Sequence, residues 1–165
     1  MNYLKFQKII IWVFIFFISF FIGACSAKMS NDTKINLSVE VLKSNAWVNL
    51  MPGMNMKPTF HLIGEVKIIN NSGDIIKDIN LQEVYIYSDS ILVYKFIPEF
   101  KSKENDSTNS IFPSAEKIFT FNSPKGLVLK KELNQQKLCN ALLKFSSEGK
   151  TIDCMIENIK IEKVY

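Results

Sequence analysis

The sequence predicts an all-β domain, an antiparallel sandwich of about seven short strands, preceded by an apolar N-terminal signal helix. Three features predict it. Apolar and polar residues alternate with a period of two in several runs, clusters of Asn, Ser, Gly and Asp separate those runs, and a single uncharged apolar stretch stands apart at the N-terminus. Alternation of this kind is what a strand half-buried against one core requires.

The first 24 residues read as a signal peptide. Lys5 and Lys8 supply a positive start, and the stretch Ile9 to Ala24 is uncharged and rich in Ile, Phe, Val and Trp. Its 16 residues fall short of the roughly 20 needed to span a bilayer as a helix. The run closes on Ile22-Gly23-Ala24-Cys25, which resembles the lipobox of bacterial lipoproteins. An aliphatic residue and two small ones precede a cysteine whose thiol receives diacylglycerol. The resemblance implies cleavage before Cys25, lipidation of Cys25 and a membrane outside the cytoplasm, periplasmic or surface-facing. Two or three acyl chains, at about 0.8 kcal/mol per buried CH₂, hold a protein on a membrane almost permanently.

Residues 25–34 comprise the lipidated cysteine and a flexible tether. The segment Ser26 to Lys34 is small and polar without periodicity, and reaches at most roughly 30 Å. Residues 35–165 form the β domain. Ile35, Leu37, Val39 and Val41 alternate with polar residues, and Phe60, Leu62, Val66 and Ile68 face inward around Gly64. Asn70 to Asp74 supplies a turn. Further strands are expected over Leu81–Tyr87, Ile91–Ile97, Lys117–Phe121, Leu138–Phe145 and Thr151–Ile161, with a short helix over Leu127–Gln136.

The stretch Gly64 to Ser72, followed by Ile76, Ile79 and the strand Val84-Tyr85-Ile86-Tyr87, resembles the immunoglobulin-like domains of accessory envelope lipoproteins. The Cys-Trp-Cys spacing of antibody domains is absent. The resemblance implies an immunoglobulin-like β-sandwich that binds or spaces without catalysing a reaction.

Composition narrows the chemistry. All twenty basic residues are lysines, and beyond the first 25 residues 18 Lys face 16 acidic groups, a net charge of +2. Without arginine forks or a basic excess, nucleic acid is not an expected partner. The one histidine, His61, sits in a predicted strand, and no nucleophile motif or phosphate-binding glycine loop is present. No catalytic residues are therefore assigned, and the chain is read as not an enzyme. A membrane-anchored hydrolase is the weakest alternative.

Three further groups carry candidate chemistry. Met51, Met54 and Met56 place three thioethers within six residues around Pro52-Gly53, with His61 five residues beyond. Soft thioether sulfur suits Cu(I), and the segment resembles the methionine-rich stretches of envelope copper-handling proteins. The competing reading packs these methionines against the core or against a protein partner. Cys139 and Cys154 lie on adjacent expected strands. A turn at Ser146-Ser147 sets them opposite one another for a disulfide, whereas a turn at Glu148-Gly149 sets Cys154 opposite Leu143 and leaves two free thiols. Tyr85, Tyr87 and Tyr94 either form an aromatic platform for a ligand such as a glycan or pack as cross-strand pairs.

The expectation is thus a lipid-anchored envelope protein with a membrane and an envelope protein as partners. No cofactor is expected. The alternative is a Cu(I)-binding lipoprotein that uses Met51, Met54, Met56 and His61.

Overall fold

The structure is a computed structural model that describes residues 36–51, 57–104, 108–125 and 127–165. The chain divides into two units, Met1–Thr33 and Lys34–Tyr165, and the described residues belong to the second. The expected signal peptide, Cys25 and the tether to Lys34 lie outside them.

The described chain is all-β. Its strands are β1 (Leu37–Asn49), β2 (Thr59–Asn70), β3 (Asn80–Ser88), β4 (Ile91–Phe96), β5 (Glu99–Ser102), β6 (Glu116–Asn122), β7 (Leu127–Val128), β8 (Leu138–Ser147) and β9 (Lys150–Val164). One short helix, α1 (Lys131–Asn134), precedes β8. The strands follow one hydrogen-bonded path, β4-β3-β8-β9-β1-β2-β6-β5, with β7 added beside β2. All pairs are antiparallel except β1 with β9, whose parallel register sets Ala46 beside Ile161 and Asn49 beside Val164. The sheet is therefore mixed and curled, where seven antiparallel strands were expected.

Two changes to the expected elements have local causes. β1 continues eight residues past Val41 because Leu42 forms a bulge opposite β2. The extra residue reverses the alternation, so Val39 and Val41 lean inward before it and Ala46 and Val48 after it. Trp47 is thereby turned outward. The helix expected over Leu127–Gln136 shrinks to α1, since Leu127 and Val128 pair with Phe60 and Thr59 of β2 instead.

Curling brings the two ends of the path together. Phe100 of β5 meets the Phe145 ring of β8 edge-on at 6.0 Å, and Phe60 of β2 stacks on Tyr94 of β4 at 5.4 Å. The core between them is filled by Phe60, Leu62, Phe119, Phe121, Phe145 and Ile86, all fully buried. Gly64 faces the same core. A β-carbon there would overlap the Phe121 ring and stand 2.8 Å from the Lys43 carbonyl oxygen.

Two hairpins close on two-residue turns with left-handed backbone. Asp89 and Ser90 join β3 to β4, and Glu148 and Gly149 join β8 to β9. Turns of this hand match the twist of the flanking strands.

Candidate functional site

Three cross-strand rows form the middle of the outward face of β4-β3-β8-β9. One row is charged: Glu83 is opposite Lys144, and Lys144 opposite Asp153. The middle row runs Lys95, Tyr85, Leu142, Met155. The third runs Leu92, Tyr87, Asn140. Leu92 and Met155 are 49% and 50% exposed, and Tyr85, Tyr87 and Leu142 are half-buried. An apolar centre thus lies where an outward face of an antiparallel sheet is ordinarily polar.

Its charges are ordered by one another. Lys95 Nζ lies 2.8 Å from Glu83 Oε1, Tyr85 donates its hydroxyl to the other Glu83 oxygen, and Lys144 Nζ lies 3.6 Å from Asp153. The Lys95 hydrogen bond, with that from Tyr85, holds the Glu83 carboxyl below its usual range, and Glu83 raises Lys95 in turn. Lys95 and Lys144 both stand over the Tyr85 ring, at 5.2 and 5.5 Å. The two lysines hold Tyr85 in place and keep the rim charged.

The three tyrosines separate. Tyr85 and Tyr87 share this face, while Tyr94 turns into the core. Its hydroxyl donates to the Val128 carbonyl at 2.7 Å and accepts the Lys130 N–H at 2.9 Å, which ties β7 to β4. Lys130 also donates through Nζ to the Val93 carbonyl and so covers part of the β4 edge. Sequence reading missed Leu92, Leu142 and Met155. The signal for Leu142 was an apolar residue on the polar parity of β8, two positions before Lys144.

At the far end of β1 and β2, Trp47 and His61 are directly opposite, with rings stacked at 5.0 Å and 8° between planes. Thr59 Oγ1 and His61 Nε2 share a hydrogen bond of 2.9 Å. Partial burial pushes the imidazole below its ordinary value, so it is neutral near pH 7. Met51 follows β1, exposed, with its N–H bonded to Asn49 Oδ1 at 3.0 Å. Met54 and Met56 lie outside the described residues. Among the described residues no group of three or more His, Cys, Asp or Glu side chains is placed to hold a metal.

The cysteine alternatives resolve to two free thiols. With the turn at Glu148-Gly149, Cys154 falls opposite Leu143 and Cys139 opposite Ile159. Four residues along the ladder separate the two positions, roughly 13 Å, about twice what a disulfide tolerates. Burial pushes the Cys139 thiol up to about 12 and raises Cys154 as well. Both are poor nucleophiles.

Among the described residues no helix is long and apolar enough to cross a membrane. The described residues form an all-β domain whose outward sheet face has an apolar centre. No protein-family model and no curated protein matches it. It is similar to a solved structure titled X-ray structure of Northeast Structural Genomics Consortium target SoR45, at 12% identity and a TM-score of 0.37, covering 78% of this chain and 85% of that one.

Proposed function

We propose that this chain is a lipid-anchored, non-catalytic binding or accessory module of the cell envelope. Its anchor is Cys25 within Ile22-Gly23-Ala24-Cys25. Its domain is an immunoglobulin-like sandwich in which β4-β3-β8-β9 and β1-β2-β6-β5 act as the two layers. That reading is supported by the strand order and by the Phe100–Phe145 and Phe60–Tyr94 contacts across the core.

The observation that carries the binding role is the outward face around Tyr85, Tyr87, Leu92, Leu142 and Met155. An apolar, aromatic centre rimmed by ordered charges is the anatomy of a protein interface. The partner is an envelope protein rather than a nucleic acid, since Lys95 and Lys144, the lysines beside the apolar centre, are already paired with Glu83 and Asp153. A photo-cross-linking residue at Met155 in cells expressing the full chain should give a discrete protein adduct. The same residue at Asn45, exposed on β1, should not. Equal labelling at both positions would contradict the binding face, and Leu142→Lys should abolish the adduct without changing the fold.

A second reading, Cu(I) binding by Met51, Met54, Met56 and His61, is favoured by one observation. The neutral imidazole of His61 lies on the outward side, two cross-strand pairs away from the connection that Met51 opens. Anaerobic Cu(I) titration against a competing chelator, with Met51, Met54 and Met56 all changed to Leu as control, tests it. Tight binding lost in the control supports the reading, and binding unaffected by the control or absent in the parent retires it.

A further inference from the structure

The described chain begins beside the end of β2. Asn71 donates its N–H to the Asn36 carbonyl at 2.8 Å and its side-chain amide to Ser38 Oγ at 2.6 Å. At this same end the β2–β3 connection meets the β5–β6 connection. Ile76 and Ile111 face one another in an antiparallel bridge, with N–H to carbonyl bonds of 3.0 and 2.8 Å, and both side chains are buried.

Alternation across that bridge sets their neighbours, Ile75 and Phe112, across from each other on the opposite, outward side. They are 41% and 65% exposed. This pair is held firmly: the amide of the fully buried Asn70 lies 2.8 to 3.1 Å from the carbonyls of Asp74, Ile111 and Phe112. Exposed Asp74, Lys77 and Asp78 flank Ile75 and Ile76 in the same connection, and the Lys77 N–H bonds exposed Glu148 at 3.3 Å, so charges of both signs lie close by. Two large apolar side chains are thus presented on a rigid base with no dominant electrostatic sign.

Where the chain continues toward its N-terminus decides what meets them. Ten residues separate Cys25 from Asn36, a reach of roughly 35 Å. β1 itself, at 13 residues, is about 40 Å long. A lipidated Cys25 therefore delivers this end of the sheet to the bilayer before the end bearing Met51 and Val128.

We propose that Ile75 and Phe112 form a bilayer contact, a second and non-covalent foothold that docks this end of the domain on the membrane holding the acyl chains. The inference rests on the reading of Cys25 as lipidated. Two side chains alone bind lipid weakly, but a tether of this length keeps their local concentration at the surface high. Docking in this orientation leaves the Tyr85–Leu142–Met155 face directed sideways, open to a membrane-bound partner.

The test uses the full chain purified from membranes and reconstituted in phosphatidylcholine vesicles, with and without phosphatidylglycerol, and with and without brominated acyl chains. Phe112→Trp should lose about half its added emission to the brominated lipids, in both lipid compositions. Val128→Trp, at the opposite end, should lose none, and adding Ile75→Asp to Phe112→Trp should abolish the effect. Flotation with the vesicles, against Cys25→Ala, separates the two claims. A chain that floats through Cys25 while Phe112→Trp is quenched no more than Val128→Trp overturns the bilayer contact and leaves the anchor standing. A chain that carries no lipid at Cys25 overturns both.

Discussion

Cys154 lies directly opposite Leu143 in the β8–β9 ladder, four residues from the level of Cys139. The two-residue turn at Glu148-Gly149 imposes this, because moving the turn by two residues is what would have aligned the thiols. Reducing agent should therefore leave the melting temperature unchanged. With Cys25 lipidated, Ellman's reagent should count two thiols, Cys139 and Cys154, only after unfolding, with Cys139 silent in the native protein.

The same thiol makes stability depend on alkaline pH. Folded, Cys139 keeps its proton up to about 12, whereas its ordinary value is 9.0. Between these limits the unfolded chain binds fewer protons, so stability falls as pH rises, by at most about 1.4 kcal/mol per unit from this group. Denaturant titrations from neutral to alkaline pH should show the decline, and it should be shallower in Cys139→Ala. Equal slopes would remove the thiol as its cause.

Gly64 should tolerate no side chain. Its missing β-carbon is the space that Phe121 and the Lys43 carbonyl occupy. Gly64→Ala should cost about 3 kcal/mol by overpacking, while Gly73→Ala, with open space around it, should stay within about 1 kcal/mol of the parent. Urea midpoints of the two variants check the contrast.

Asn70 joins two connections, β2–β3 and β5–β6, from a fully buried position. It also accepts the Ser72 N–H and hydroxyl on Oδ1, at 2.8 and 2.6 Å. Asn70→Leu strands these groups and should cost about 2 to 4 kcal/mol. Amide exchange should rise first in residues 71–79 and 108–115, the segments this side chain joins.

His61 should titrate below 6.5 in an NMR pH series, because its stacked ring on Trp47 is partly withdrawn from water. The unfolded chain then binds more protons just below that pH, so stability is full above it and declines as pH falls through the folded value. Trp47→Ala should move the titration back toward 6.5.

Much of the strand pattern was legible because alternation reports a one-sided core directly. Phe60, Leu62, Val66 and Ile68 point where period two puts them. The Leu42 bulge was not, since a single inserted residue leaves no mark in composition, only a change of parity between Val41 and Ala46. The parallel β1–β9 pairing was also hidden, as it depends on two strands more than a hundred residues apart. The candidate face was half visible. Tyr85 and Tyr87 stood out in the sequence, but Leu92, Leu142 and Met155 join them only through register.

The central claim is the lipid anchor, and mass spectrometry of the chain extracted from membranes tests it most directly. The account predicts a mature N-terminus at Cys25 carrying a diacylglyceryl thioether, absent in Cys25→Ala. An intact Met1 with an unmodified Cys25, or a mature chain beginning after Cys25, would contradict it.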